Sequence, residues 1–314
     1  MKTFIDRRSF LKGGLVLSAA GALGLRTRAG WGAGTAPGTG PGSGVDLAVV
    51  QGGDPFRSAW RAVEAVGGLD RRVSGGSLVG LLINHPFRNP GTFVNPDVAL
   101  AVAVICLQSG AREVRSLKAE PSGYWARASQ AGRWPSELKA LKPCRGDYVR
   151  TRVEKGLALK EGQIIRDLLE CDVFVNVSIT KDHEGTGYSG VLKNMMGAAT
   201  HSTCRFFHTG SGAPGWYGDV DHLSQCIADL NLLRRPDLAV ADATEIIRTN
   251  GPFGPGDLAR PGKVLAGTDP VLVDAYGTTI LGLKPEGVGL VVRSAEAGLG
   301  RPDLEKARVV ELRV

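Results

Sequence analysis

Cysteine is scarce in this chain and follows no pattern. The five residues, Cys106, Cys144, Cys171, Cys204 and Cys226, are widely spaced, odd in number and form no C-x-x-C pair. That spacing excludes a zinc ribbon and a ferredoxin-type iron–sulfur motif. In an exported chain one or two disulfides are open, but Cys106 and Cys171 sit in apolar runs and read as buried free thiols. A membrane-spanning run is missing as well. The uncharged stretch 13–25 has thirteen residues, short of the about 20 that a spanning helix needs. An excess of basic charge outside the leader is also missing. Residues 1–44 hold six Lys/Arg and one acid, so +5 of the formal +7 belongs there and about +2 to the remainder. The high pI therefore gives no support to nucleic-acid binding, and nucleic acid is not an expected partner.

The leader itself is informative. Asp6-Arg7-Arg8-Ser9-Phe10-Leu11-Lys12 is a twin-arginine signature, followed by the short apolar run of a signal peptide. We read 1–33 as the signal peptide, with cleavage near Ala29 to Ala33. Residues 34–44, without charge and crowded with Gly, Pro and Thr, read as a linker. The folded domain is 45–314. The implied partner is the twin-arginine translocation machinery and the implied location periplasmic or extracytoplasmic, with no stable membrane span after cleavage.

Beyond the linker, strand and helix patterns alternate. Strands are expected at 45–50, 78–83, 113–117, 173–179, 238–241, 264–266 and 308–314. Helices are expected at 56–66, 95–108, 162–171, 219–233, 269–281 and 287–297. Asn95-Pro96 and Asp269-Pro270 supply an N-cap and an N1 proline. Residues 118–149 lose the period and read as an excursion. The class is α/β, a mostly parallel sheet with helices on both faces, either one body or two subdomains around a cleft.

The stretch 173–208 carries the chemistry. A β-branched strand ends in Lys181, Asp182, His183 and Glu184; a glycine turn, 185–190, leads into a helix with Lys193 and Asn194. Three of the five histidines, His183, His201 and His208, fall here. Strand, polar burst, glycine turn and helix is how an α/β sheet builds a site at the carboxyl ends of its strands. Gly185-x-Gly187-x-x-Gly190 matches the dinucleotide fingerprint literally, but no acid follows about 20 positions later, and no lysine follows Gly190 as in a P-loop. The turn suits either a plain tight turn or an anion held by backbone N–H groups with Lys181 or Lys193 nearby. On this reading Lys181, Gly187, Ser189, Gly190, Asn194 and Asp242 contact a ligand or cofactor, and His183 and Lys193 carry the chemistry. Asp219, Asp221 and His222 read as an ordinary helix start before a metal half-site. Asp274, inside an apolar helix, needs a partner if buried.

Five segments together resemble the domain of unknown function 362 family. They are Ile179-Thr180-Lys181-Asp182-His183, Leu192-Lys193-Asn194-Met195-Met196-Gly197, Asn250-Gly251-Pro252-Phe253-Gly254, Thr268-Asp269-Pro270-Val271-Leu272-Val273-Asp274 and Ala297-Gly298-Leu299-Gly300. The family usually has a lysine just after the second strand, where this chain has Asn84-His85. A narrower likeness, from Leu169 to Lys193, is to the central segment of nickel-dependent lactate racemase. It implies His183 as acid/base, Lys193 as the tether of a nickel-pincer nucleotide, and a nickel ligand at His208, nearer the racemase spacing, or His201. The cofactor is not identified: a metal or a phosphate-bearing group fits the cluster. The functional expectation is an enzyme acting on a small anionic molecule, or else a periplasmic binding protein without turnover. Replacing Arg7 and Arg8 together by lysine should leave the protein in the cytoplasm, because the translocation receptor reads that pair. Cell fractionation checks it; normal export of the double variant would refute the assignment.

Overall fold

The computed structural model describes residues 44–314 apart from 71; the signal segment and the linker up to 43 lie outside the described residues. In chain order the strands are β1 (Leu47–Gln51), β2 (Leu78–Ile83), β3 (Glu113–Ser116), β4 (Tyr148–Arg152), β5 (Glu161–Ile165), β6 (Val173–Ile179), β7 (Leu238–Ala243), β8 (Ile246–Ile247), β9 (Leu258–Ala259), β10 (Lys263–Gly267) and β11 (Val309–Arg313). The helices are α1 (Pro55–Ala65), α2 (Pro96–Gln108), α3 (Pro135–Ala140), α4 (Arg166–Glu170), α5 (Val191–Asn194), α6 (His201–Thr209), α7 (Val220–Asn231), α8 (Pro270–Ile280) and α9 (Gly289–Glu296).

One seven-stranded sheet organises these elements, in the order β11-β1-β10-β7-β6-β2-β3. Only β10 runs against its neighbours; the other pairings are parallel. The sheet is therefore α/β and mostly parallel, as the alternation predicted. An interior strand, β6, is buried along its whole length. Val173, Val175, Val177 and Ile179 join the apolar layer that includes α1 and α2. Phe174 points the other way, into the layer with α7 and α9. Burial on both faces is why β6 reads as a continuous apolar run. The two-stranded ribbons β4-β5 and β8-β9 stand outside this sheet.

Local chemistry sets the helix starts. Asp54, Asn95 and Asp269 each accept a hydrogen bond from a backbone N–H one turn on, and each precedes a proline in the first turn. Asp219 does the same for α7 through the N–H of His222, so the helix-start reading of that acidic group holds. One element differs from expectation. Residues 162–171 do not form one helix: Glu161–Ile165 pairs antiparallel with Tyr148–Arg152, and only Arg166–Glu170 is helical. The paired isoleucines fit either period, and the tertiary partner decides. Thr203 of α6 receives the N–H of Gln163 at 2.9 Å and lies against Gly162. All five cysteines are free, with Cys106, Cys171 and Cys226 buried. Among the described residues no helix is long and apolar enough to cross a membrane.

Asp274 locks the layers together. Fully buried on α8, it accepts hydrogen bonds from Val191 N (2.7 Å), Leu192 N (2.9 Å) and the Tyr188 hydroxyl (3.1 Å). Asp274→Ala would orphan three buried donors and should cost about 3–5 kcal/mol. Urea unfolding checks it; a loss under about 1 kcal/mol would show that these donors find other partners.

Candidate functional site

The order of the parallel strands reverses between β2 and β6. From β2 the chain moves outward to β3, then returns to β6 on the opposite side and continues to β7. Open α/β sheets place their crevice outside the carboxyl ends at such a reversal. Here those ends are Asn84-His85 and Thr180 to His183, tied by Asn84 N donating to Val177 O at 3.0 Å.

The turn that follows β6 is built on its own contacts. Lys181 and Ser189 exchange backbone hydrogen bonds at 3.1 and 2.9 Å, closing the loop. Gly187 has φ +69°, a conformation that favours glycine. A Cβ at Gly185 would lie 2.4 Å from the Tyr217 ring, and one at Gly190 2.2 Å from an Asp274 oxygen. The three glycines of the fingerprint thus answer to a backbone angle, an aromatic ring and a carboxylate. The N–H groups at the start of α5 also differ from the expected phosphate cradle. Two of them bind Asp274, so the anion they hold is the protein's own side chain.

Two histidines flank Tyr217. The His183 and Tyr217 rings meet edge to face at 5.6 Å, and those of His208 and Tyr217 at 5.4 Å. Trp216 stacks on His208 at 4.3 Å. His183, 2% exposed, accepts at Nδ1 from Gly185 N (3.0 Å) and Thr186 N (3.3 Å). A neutral imidazole that accepts at Nδ1 carries its proton on Nε2. His208 is wired in the opposite sense. Its Nδ1 lies 3.2 Å from the Trp216 carbonyl, which can only accept, so the proton sits on Nδ1 and Nε2 keeps its lone pair. Both rings are neutral at ordinary pH. Burial, then Lys193, Lys181 and His208, push His183 down to about 2; burial and Lys193 push His208 down to about 4.

The lysines divide into a clamp and a pair. Lys181, wholly buried, donates to Thr92 O (2.7 Å) and Pro252 O (2.9 Å) and lies 3.7 Å from the centre of the Phe87 ring. It pins the 250–256 loop to the segment after β2, so its hydrogen bonds go to the scaffold. Burial and the neighbouring Lys193 and Lys118 push it down to about 6, while the two carbonyls and the ring face favour the charged form. Lys193, partly buried, places its Nζ 3.5 Å from the Met196 sulfur. Burial lowers it to about 8, with Cys204 and Lys118 acting in opposite directions.

The remaining expectations fare differently. Asn194 donates to Asn176 Oδ1 (2.7 Å) and to the carbonyls of Leu82 and Val177, so it ties α5 to the strand ends rather than facing a ligand. Asp242 accepts from Asn95 N (2.6 Å) and from the N–H and hydroxyl of Thr244 (2.8 and 2.7 Å). It borders a separate hollow of about 220 Å³ with Phe93, Arg127 and Glu245. His201 is exposed at the start of α6 and stands apart from the group; His208, seven residues on, is buried within it. Among the described residues no three His, Cys, Asp or Glu side chains converge to hold a metal. Sequence reading missed Tyr217, Trp216 and Lys118, which lie in segments without a period to mark them.

Residues 80–279 match the family model described as Domain of unknown function (DUF362). The chain belongs to that family. Residues 5–24 match the twin-arginine translocation pathway signal sequence, so the protein is exported across the membrane. No curated protein matches the sequence. Among solved structures, the lactate racemase apoprotein from Thermoanaerobacterium thermosaccharolyticum is similar with a TM-score of 0.49 at 11% identity, over 76% of this chain and 57% of that one. A structural-genomics protein from Thermotoga maritima gives 0.42 at 16% identity, over 78% and 60%. The chain spans under two thirds of the length of either.

His85, at the end of β2, is fully buried, and among the described residues neither ring nitrogen has a hydrogen-bond partner of ordinary length and angle. Burial and Lys118 push it down to about 3, against a backbone contribution from Lys118 that raises it. A depressed histidine adds stability above its unfolded pKa that is lost as pH falls toward the folded value. His85→Leu should therefore flatten the acid-side loss by about 1.4 kcal/mol per pH unit between about pH 6 and about pH 4. Unfolding curves across that range check it; parallel profiles for both proteins would contradict a neutral buried His85.

Proposed function

We propose that this exported protein is an enzyme that moves a proton on a small anionic molecule bound outside the carboxyl ends of β2 and β6. The observation that carries the reading is the opposite wiring of His183 and His208 beside Lys193. One ring offers an N–H at Nε2 and the other a lone pair at Nε2, and both are neutral at working pH. The pair thus supplies a hydrogen-bond donor and a proton acceptor: His183 Nε2–H polarises the ligand without giving up its proton, and His208 Nε2 takes a proton and returns it. Lys193, which no carboxylate engages among the described residues, supplies positive charge for the bound anion and for negative charge that develops during transfer.

A second reading has a resident cofactor, and the observation favouring it is that His208, not His201, shares the neighbourhood of Lys193. The Nε2 lone pair of His208 is also a metal donor. Since no three His, Cys, Asp or Glu side chains converge among the described residues, a metal would be retained there only with further donors from an organic group, for which Lys193 is the available tether. Such a group would add a Lewis-acidic centre.

The test is solvent exchange. Exported protein in D₂O is incubated with short 2-hydroxy and 2-oxo carboxylates and their phosphate esters, and each compound is read by mass spectrometry. One class should gain deuterium, with His183→Gln and His208→Gln each slowing uptake by about 10²–10⁴. Saturable binding with no uptake across the panel would instead mark a carrier without turnover. Intact mass of protein from its native host separates the cofactor reading: a Lys193 adduct with bound nickel supports it, and an unmodified, metal-free chain removes it.

A further inference from the structure

Two lysines from different parts of the chain meet at the Met196-Gly197 turn. Lys193 Nζ lies 3.5 Å from Met196 Sδ. A methyl group on the Gly197 α-carbon would sit 3.5 Å from both Cδ and Nζ of Lys118, which follows β3. The Cys204 thiol donates to the Met196 carbonyl at 3.3 Å, and both lysines act on it. Burial keeps that thiol protonated, so it neutralises neither charge. No ion pair engages Lys118 or Lys193 among the described residues, and no carboxylate contributes to the electrostatics of either.

Two partly buried ammonium groups close enough for one to repel the other, with no carboxylate beside them, are unfavourable unless an anion joins them. Their combined charge matches a phosphoryl group, which carries about −1.5 to −2 at neutral pH. The donor type agrees. A planar arginine fork suits a carboxylate, whereas two point charges on flexible stems suit a tetrahedral group with several equivalent oxygens. Gly197, lacking a side chain, leaves open the space beside the Lys118 ammonium.

We propose that Lys118 and Lys193 together grip a phosphoryl group over the Met196-Gly197 turn, so that the ligand of this site is a phosphorylated small molecule. Its identification as the substrate rests on the proton-transfer reading above; the phosphate site itself does not. The pair sits beside the histidines, since Lys193 acts on both His183 and His208.

Calorimetric titration of the full exported protein with inorganic phosphate tests this, with acetate as the monoanionic control. Phosphate should bind saturably and acetate far more weakly. Lys118→Met should weaken phosphate by at least about tenfold, and Lys118→Arg, which keeps the charge, by no more than about threefold. Lys118→Met should also raise the apparent pKa of Lys193, read from its rate of acylation against pH, because a repelling neighbour has gone. A purely structural Lys118 would not move that value. Absence of saturable phosphate binding, or equal weakening by the methionine and arginine variants, overturns the proposal. Nitrogen-15 shifts of His183 and His208 separate the two readings: phosphate binding lost with ring tautomers intact sinks only the phosphate grip, whereas altered tautomers with phosphate binding retained sink only the proton-transfer roles. A phosphorylated compound carried through purification assigns the grip to a resident cofactor, and its release on dialysis to a passing substrate; either supports the phosphoryl class.

Discussion

A single buried carboxylate holds this architecture in register. Asp274 comes from a helix more than eighty positions downstream of the turn it caps, yet it takes two backbone N–H groups and a tyrosine hydroxyl there. Because the donors are buried, they need that acceptor, and because Asp274 is buried, it needs those donors. Gly190 follows from the same constraint, since any side chain would collide with the carboxylate. Burial still pushes the carboxyl up to about 7, while the three donors pull the other way.

With the turn fixed in this way, the groups around it acquire defined protonation. The backbone of the turn donates to His183 Nδ1, and the Trp216 carbonyl receives from His208 Nδ1. Hydrogen bonds at the rear nitrogen of each ring thus set which form the front nitrogen presents. The lysines around them raise the cost of any further positive charge, which keeps both rings neutral. Lys181 contributes from behind, as a clamp between two loops, and its place in the scaffold explains how a lysine can be wholly buried without an acid.

Much of this was legible in the residues alone, wherever the determining interaction is short in sequence. The twin-arginine leader, the buried strand at 173–179 and the Asx-Pro helix starts at Asn95 and Asp269 are set by neighbours within a few positions. So is the gathering of a strand, a glycine turn and charged residues after β6, because these are contiguous. The split of 161–170 into strand and short helix was not legible, because two adjacent isoleucines fit either period and the hairpin partner lies outside the window.

What the residues by themselves determined is therefore the export, the α/β class and the cluster of polar residues that follows β6. Which side chains remain available there was decided by the tertiary structure alone. Lys181, Asn194, Asp242 and the N–H groups after Gly190 all looked like ligand contacts, and all are taken up by protein partners, most of them distant in sequence. Lys118 and Tyr217 looked like nothing in particular, and the packed chain brings Tyr217 against His183 and His208 and Lys118 against Gly197. The reason is physical: a buried polar group must find a partner, and only the packed chain settles whether that partner is the protein or is left for a ligand to supply.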